Sequence, residues 1–175
     1  MKELHTDRLY LRYLKPDDYL AMYYNWTSDE DVARYVTWDA HQDPSITRIF
    51  LNSKLEEYNL PNTYIWGIEL IDTKELIGMI DVVNIIDGVT PEIGYVLSKK
   101  YWNKGIMTEA CTKVIDYLLN EIHFKDIIIC ADVRNIGSNK VITNVGGKFL
   151  YTRNFELHAK KEKTLINIYK VNKSL

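Results

Sequence analysis

The segment from residue 92 to residue 131 constrains the fold most, because its hydrophobic period changes at Gly105. Residues 92–97 are typical of a strand, whereas the stretch after Gly105 has the period of a helix. Residues 127–131 then form a short apolar run, which indicates a strand buried on both faces. A strand, a long helix and a second strand make a crossover unit, so we expect the two strands to lie parallel. The helical stripe consists of Ala110, Cys111, Val114, Ile115, Leu118, Leu119 and Ile122.

Shorter elements precede this crossover. A strand over residues 9–14 leads through Pro16 into a first helix, and Asp43-Pro44 supplies the cap and first residue of a later helix. Beyond Pro61 the pattern changes to strands separated by turn signals, which predicts an antiparallel meander. The predicted helices cover residues 17–26, a short stretch capped within residues 28–30, and residues 43–58; the predicted meander strands cover residues 64–71, 76–84 and 92–97.

The elements after the crossover complete the fold prediction. A helix over residues 137–145 stops at Gly146-Gly147, where left-handed backbone costs little, and strands over residues 148–155 and 163–171 follow. The chain has 175 residues and no repeat, linker or low-complexity tract. We therefore expect one mixed α/β domain, of the α+β kind, over residues 1–175.

The charge balance and the apolar runs narrow the class of protein. A formal net charge of -2 offers no general basic field for phosphate contact, so direct nucleic-acid binding is not expected. No apolar run approaches membrane-spanning length and the N-terminus is unlike a signal peptide, which predicts a cytoplasmic protein without membrane contact. Cys111 and Cys130 lie in apolar segments and not in a CxxC pair. That placement favours reduced core residues over a disulfide, a metal site or a nucleophile.

The loop between strand 92–97 and the long helix has the features of an anion site. A helix start presents free N–H groups and the positive end of a dipole. Gly105 allows close backbone approach, and Lys99, Lys100 and Lys104 add positive charge, so the loop suits a phosphate or pyrophosphate. The alternative is that Gly105 only starts the helix and the lysines are solvated. Spacing excludes both GxxxxGK(S/T) and GxGxxG, and with them the commonest NTP and NAD folds.

Residues 101–110, YWNKGIMTEA, resemble the acetyl-CoA motif of the GNAT superfamily in the form found in its RimJ/RimL-like branch, YWxKGxxTEA. Residues 135–142, NIGSNKVI, are similar to the N-x-x-S-x-R/K-V-L segment of that branch, and residues 7–12, DRLYLR, to its opening strand. Two positions depart from the general motif Q/R-x-x-G-x-G/A. Trp102 replaces Gln or Arg, and Met107 replaces a small residue, which is expected to make the loop bulkier.

This resemblance implies the GNAT fold, a mixed and mostly antiparallel sheet of about six to seven strands flanked by helices. It implies an acetyl-CoA-dependent N-acetyltransferase in which an amine attacks the thioester directly, with acetyl-CoA as the donor cosubstrate and no metal. A free backbone N–H at residues 96–98 would polarise the thioester carbonyl. The implied acetyl-CoA contacts are Val96, Leu97, Ser98, Trp102, Asn103, Lys104, Gly105, Ile106, Met107, Thr108, Asn135 and Lys140.

The same resemblance supplies the candidates for catalysis. Glu92 matches a carboxylate of the acceptor pocket, acting as the base or binding a cationic substrate. Ser138 is a candidate proton donor to the CoA sulfur, or else a first-turn helix cap. Asn135 contacts the pantetheine arm or an ordered water, or is an ordinary N-cap, and Lys140 pairs with a CoA phosphate or is solvated. Many GNAT enzymes have a tyrosine acid at the position of Thr143, so that acid is absent here.

The identity of the acceptor stays open at this stage. Tyr35 and Trp38 lie in the region that builds one wall of the acceptor site, so we expect them to bind the substrate together with Glu92. The amine belongs either to a protein N-terminus or to a small molecule, and the sequence also permits a homodimer. The alternatives are a non-catalytic acyl-CoA-binding sensor and a structural partner protein. The histidines share no HxxxH spacing and lie near no cysteine pair, so no metal site is expected. They are His5, His41, His123 and His158.

Overall fold

The computed structural model describes residues 1–157 and 160–172, in which one mixed sheet carries helices on both faces. The strands are β1 (Leu4–His5), β2 (Leu9–Arg12), β3 (Ile65–Leu70), β4 (Leu76–Ile86), β5 (Thr90–Leu97), β6 (Asp126–Asp132), β7 (Lys148–Leu157) and β8 (Glu162–Asn172). The helices are α1 (Tyr19–Met22), α2 (Glu30–Ala33), α3 (Pro44–Glu57), α4 (Ile106–Asn120) and α5 (Ile136–Asn144), with a π-helical turn at Tyr23–Thr27 and a 3-10 turn at Lys99–Tyr101. Across the sheet the strand order is β1-β2-β3-β4-β5-β6-β8-β7.

The sheet agrees with the expected fold but has eight strands in the described part of the chain, more than expected. Strand β1 pairs with β2 over two residues only, which is too short for a period of two to show in the sequence. Strand β2 ends at Arg12 and not at residue 14. The guanidinium of Arg12 binds Asp18 at 2.8 Å and Glu69 at 2.6 Å in the protein interior, and this buried network holds the turn from β2 to α1.

Two hydrophobic cores lie on opposite faces of the sheet. On one face α4 packs against β6, and its predicted apolar stripe is confirmed because Val114 and Leu118 are buried with Ile127 of that strand. On the other face the short helices α1 to α3 cover the sheet, with Trp26 and Leu51 buried among them. The α4 face therefore belongs to the crossover, whereas the helices that precede β3 cover part of the other face.

The crossover leaves a gap in the sheet. Strands β5 and β6 are parallel, as expected, but they pair only at Glu92 with Ile128 and at Ile93 with Ile129. Beyond that point β5 stays paired with β4 and β6 stays paired with β8. The two strands therefore separate towards their C-terminal ends. We call this gap, between residues 94–97 of β5 and residues 130–132 of β6, the β5–β6 opening.

Two further expectations concern the cysteines and the membrane. Cys111 is buried, Cys130 is half-buried, and both are free thiols, which confirms that they are not paired. Burial raises the pKa of both thiols, so they stay protonated near neutral pH. Among the residues that the structure describes, no helix is long and apolar enough to cross a membrane.

Candidate active site

The backbone of β5 presents the N–H groups of Tyr95 and Leu97 to the β5–β6 opening. The N–H of Ser98 donates to the carbonyl of Ile77 on β4 at 2.8 Å. Hydrogen-bonding direction alternates along an antiparallel strand, so the Val96 N–H also points to β4, whereas the Leu97 N–H points into the opening. One backbone donor was expected within residues 96–98, and Leu97 is the residue of this range whose N–H faces the opening.

Trp102 explains how the loop after β5 is held. Its indole N–H donates to the carbonyl of Leu97 at 2.9 Å, on the side of β5 that the separation of the strands exposes. The indole thus satisfies a main-chain acceptor that would otherwise lack a strand partner. The tryptophan that departs from the general motif is therefore a structural support for the loop, and 39% of it remains exposed beside the opening.

The N-terminus of α4 is open to a ligand. Gly105 has a left-handed φ of 73°, and no side chain caps the helix there, whereas Asp29, Asp43 and Asn135 cap α2, α3 and α5. A Cβ added at Gly105 would meet only the Arg8 guanidinium, at 3.6 Å. The first-turn N–H groups of α4 therefore face free space with the positive end of the helix dipole, which is the geometry of an anion site.

The side chains of Ile106 and Met107 point away from this loop. Both are buried in the core on the α4 face, so these two residues offer a ligand only their backbone N–H groups. The expectation that Met107 makes the loop bulkier is wrong, because its side chain fills the core and not the loop. Asn103, Lys104 and Gly105 are exposed and Thr108 is half-buried, which leaves them accessible.

Of the three lysines expected to add charge at this loop, two are already engaged. Lys99 binds Asp31 at 2.5 Å and Lys100 binds Glu75 at 3.3 Å. Lys104 lies over the ring of Tyr101 at 5.3 Å and forms no ion pair with any described residue. Lys104 is therefore the cation that remains for an anionic ligand. Lys140, on α5, is exposed.

An ion pair joins the opening segment, residues 7–12, to the loop and helix segment, residues 101–110. Glu109 of α4 binds the Arg8 guanidinium at 2.6 Å and accepts a hydrogen bond from Thr6 at 2.5 Å. Arg8 also donates to the carbonyl of Lys104 at 3.1 Å. This clamp fixes the start of α4 to the start of β2. Neither its partners nor its function were foreseen, although both residues lie in motif segments.

The start of α5 brings together two predicted residues and one that the sequence reasoning missed. The Asn135 side chain accepts from the N–H of Ser138 at 3.0 Å, so Asn135 is the N-cap of α5. The Ser138 hydroxyl lies 2.8 Å from the phenolic oxygen of Tyr95 on β5. Burial raises the pKa of Tyr95 far above its usual value, so the phenol remains protonated. Thr143, at the position of the usual tyrosine acid, is exposed and donates to the carbonyl of Lys140 at 3.0 Å.

Glu92 lies in a cleft on the face of the sheet opposite α4. The cleft has a volume of about 470 Å³ and runs over β5, β6, β8 and β7. Burial, and after it the nearby Glu92 carboxylate, raises the pKa of the Cys130 thiol. The lining residues are Ile86, Thr90, Glu92, Asp126, Ile128, Cys130, Leu150, Tyr151, Arg153, Ile168 and Lys170.

The two aromatic candidates for the acceptor wall occupy different places. Tyr35 lies under the guanidinium of Arg134, 5.8 Å from ring to charge, just after the C-terminal end of β6. Lys160 reaches from the β7–β8 turn to the carbonyl of Arg34 at 3.0 Å. Trp38 instead packs beside the α1–α3 core, with its ring 5.6 Å from His41. Neither aromatic lines the Glu92 cleft, so the structure does not bring the three predicted substrate residues together.

No described group of three or more histidine, cysteine, aspartate or glutamate side chains is arranged to hold a metal. His41 is half-buried and its Nδ1 lies 2.8 Å from the Thr47 hydroxyl, and burial lowers the pKa of its ring. The His5 ring stacks on Tyr10 at 4.5 Å, and His123 is exposed. His158 lies outside the described residues.

Comparison with known proteins gives a consistent result. Residues 8–148 match the Acetyltransferase (GNAT) domain. The chain is 29% identical over 144 residues to YoaA of Bacillus subtilis, named an uncharacterized N-acetyltransferase, with 82% of this chain and 81% of YoaA covered.

Two solved structures show the same fold. A GNAT-family acetyltransferase from Bacillus anthracis has a TM-score of 0.87 at 24% identity, with 98% of each chain covered. RimL, a ribosomal α-N-protein acetyltransferase solved in complex with coenzyme A, has a TM-score of 0.85 at 15% identity, with 98% of each chain covered.

Proposed function

Because the chain belongs to the GNAT acetyltransferase family, we propose that it transfers the acetyl group of acetyl-CoA to a primary amine that attacks the thioester directly. The observation that carries this proposal is the β5–β6 opening beside the uncapped N-terminus of α4. The opening exposes a main-chain donor, the helix start suits a pyrophosphate, and the opposite face of the sheet holds a carboxylate cleft. A donor and an acceptor can therefore meet from two sides of the sheet.

The residues around α4 fit the anionic part of acetyl-CoA. The first-turn N–H groups from Gly105 onwards would bind the pyrophosphate, since no side chain occupies them. Lys104 is the nearby cation without a described ion-pair partner, and it would add charge to the same site. Asn135, Lys140 and Thr108 flank the course that the rest of the molecule would take past the α5 N-terminus.

The Leu97 N–H is the proposed donor to the thioester carbonyl. It points into the opening, whereas the N–H of Ser98 is bound to β4. A fixed backbone donor stabilises the oxyanion that forms as the amine attacks, and it needs no reorganisation during the reaction. Trp102 supports this function indirectly, because its bond to the Leu97 carbonyl fixes the same peptide segment.

Two side chains would transfer the protons, one by accepting a proton from the amine and the other by donating a proton to the thiolate. Glu92 is the proposed base for the amine, directly or through water. Ser138 is the proposed donor to the leaving thiolate. Tyr95 stays protonated and lies 2.8 Å from the Ser138 hydroxyl, so a hydrogen bond between the two hydroxyls would fix the orientation of Ser138. Tyr95 is then a positioning residue that orients the proposed acid.

A non-catalytic acyl-CoA sensor is the second candidate. The observation that favours it is the exposed Thr143 in the place of the usual tyrosine acid. The acceptor in the main proposal is a protein N-terminus, as in RimL, or a small amine. A cytoplasmic location is part of the same proposal, and it suits the free thiols of Cys111 and Cys130.

Following thiol release from acetyl-CoA with a panel of amines tests the proposal. We expect amine-dependent release that Glu92→Gln and Ser138→Ala each lower by about 100-fold or more, the range typical of general acid–base groups. CoA should still raise the melting temperature of both variants, because the N-terminus of α4 is intact. A large CoA-induced thermal shift without turnover of any amine would instead support the sensor.

A further inference from the structure

The Glu92 cleft has a charge pattern that the catalytic proposal does not explain. Four charged side chains and one thiol line it, with at least one of them from each of the strands β5, β6, β8 and β7. Lys170 binds Asp126 at 3.0 Å, so these two charges neutralise each other. Cys130 is a neutral thiol near pH 7, since burial and the contact with Glu92 raise its pKa to about 12. Glu92 and Arg153 remain as the charges to be accounted for.

Glu92 and Arg153 carry opposite charges in one cleft, yet they do not pair with each other. Neither side chain forms an ion pair with any residue of 1–157 or 160–172. Arg153 lies over the ring of Phe155 at 5.7 Å, and its charge is close enough to Cys130 to oppose the rise in the thiol pKa. Glu92, Cys130 and Arg153 therefore share one cleft, and both charges act on the thiol. An anion and a cation held apart in this way match a ligand that carries both charges.

The rest of the cleft is apolar. Ile128, Leu150 and Ile168 contribute aliphatic surface, and Tyr151 adds an aromatic ring beside Arg153. The volume of about 470 Å³ lies in the range of about 300–1,000 Å³ that is typical of small-molecule sites. The walls thus suit a ligand with an apolar side chain.

We propose that the acceptor is a free α-amino acid with an apolar side chain, whose ammonium group binds Glu92 and whose carboxylate binds Arg153. This inference rests on the proposed function, because the amine held by Glu92 is the one that attacks acetyl-CoA. The ammonium group first gives one proton to Glu92, and the resulting amine nitrogen forms a bond to the acetyl carbon. The carbon–sulfur bond breaks, the sulfur gains a proton from Ser138, and the second proton that the nitrogen loses restores the Ser138 hydroxyl directly or through water. The products are an N-acetylamino acid and CoA.

Arg153 is the residue that separates this acceptor from other amines. A guanidinium binds a carboxylate through two parallel hydrogen bonds, which an amide cannot accept in the same way. Leucine should therefore be preferred over leucinamide, and the preference should depend on Arg153. The amine of leucinamide has a lower pKa than that of leucine, but this difference is the same for every enzyme variant. Comparing the leucine-to-leucinamide ratio of kcat/KM between variants therefore cancels the effect of this difference in amine pKa.

The test measures thiol release with leucine and with leucinamide for the wild type, Arg153→Gln and Arg153→Lys. We expect Arg153→Gln to lower kcat/KM for leucine by about 10- to 100-fold and to leave leucinamide within about twofold, since hydrogen bonds to charged groups have this strength. Arg153→Lys should recover part of the loss. Arg48→Gln is the matched control, because Arg48 lies on α3 over Tyr19 and outside the cleft. It should change neither substrate.

The outcomes distinguish failure of the inference from failure of the proposed function. Equal losses for leucine and leucinamide in Arg153→Gln, with an active wild type, would overturn the amino-acid site and keep the acetyltransferase. If no amine releases thiol, the proposed transfer fails, and calorimetric titration of leucine into the CoA-bound protein decides the inference. Binding that Arg153→Gln abolishes supports the site, whereas absence of binding overturns it.

Discussion

The phenolic oxygen of Tyr95 lies 2.8 Å from the hydroxyl oxygen of Ser138 and ties β5 to the first turn of α5 across the β5–β6 opening. The same phenol lies 3.3 Å from the Ser138 carbonyl oxygen. Burial keeps the phenol protonated, and a phenol can donate or accept in this pair, so in either case the hydrogen bond fixes the orientation of Ser138. The pair thus couples the strand that would polarise the thioester to the residue that would protonate the thiolate.

Replacing Tyr95 with Phe should lower kcat by about tenfold and leave the KM for acetyl-CoA unchanged, because the variant loses the orientation of Ser138 and not the anion site. The measurement is steady-state thiol release. Tyr169→Phe is the control, since Tyr169 also donates from the sheet to α5, at 2.7 Å to the Asn139 side chain. Equal losses of kcat in both variants would reduce Tyr95 to a packing residue.

An aspartate at position 105 should weaken CoA binding by about tenfold or more, because its carboxylate would face the pyrophosphate at the start of α4. Gly88→Asp is the matched control, since Gly88 has a similar φ of 72° in the β4–β5 turn and open space around it. Both variants therefore carry the same backbone strain. Isothermal titration with CoA should separate them, and equal affinities would show that α4 does not bind the pyrophosphate.

Glu109 gives a pH-dependent prediction. Burial alone would raise the pKa of this carboxyl, but hydrogen bonds from Thr6 and Arg8 outweigh it and hold the pKa below its usual value. Because the folded pKa is the lower one, the stability from Glu109 is present above the unfolded pKa and is lost as pH falls through the folded value.

Glu109→Gln should therefore lower the free energy of unfolding by about 1 kcal/mol near pH 7. The difference from the wild type should shrink as pH falls below about 4.5, the unfolded pKa region of glutamate. Urea denaturation across this pH range measures both. A difference that stays constant with pH would mean that the clamp is not an ionic interaction.

Arg12 should be far more important for stability than Arg8. Arg12→Met would leave the carboxylates of Asp18 and Glu69 buried without their cation, which costs about 3–5 kcal/mol. Arg8 is half-exposed, so Arg8→Met should cost about 1 kcal/mol or less. Urea midpoints measure the two losses, and similar midpoints would contradict the structural distinction between them.

Much of the fold follows from local sequence patterns. The period change at Gly105 and the capped start of α3 are properties of neighbouring residues, and the structure confirms both. The expected burial of residues 127–131 on both faces is only partly right, because Ile128 and Cys130 are half-buried and line the Glu92 cleft. Strand β1 could not be predicted, since two residues carry no period. The pairing of Arg12 with Glu69 was also hidden, because 57 residues separate the partners in the chain.

The sequence located the segments that form the candidate site, but it did not show which backbone groups and side chains face the ligand. The motif located the loop before α4, yet only the strand register shows that Leu97, and not Ser98, offers its N–H to the opening. Tyr95 had a weak signal in the sequence, since it is two residues from both Ile93 and Leu97 and shares with them the face towards α4 and α5. Arg153 had none, because its relation to Glu92 depends on the curvature of four strands.

The most direct test of the central claim is acetyl-CoA turnover with leucine, following thiol release and the mass of the amine product together. If the protein transfers acetyl groups with Glu92 as the base, one thiol appears for each N-acetylleucine formed. Glu92→Gln then nearly abolishes both products while CoA still stabilises the variant. Tight CoA binding with no acetylated product from leucine or from any other amine would contradict the proposed acetyl transfer.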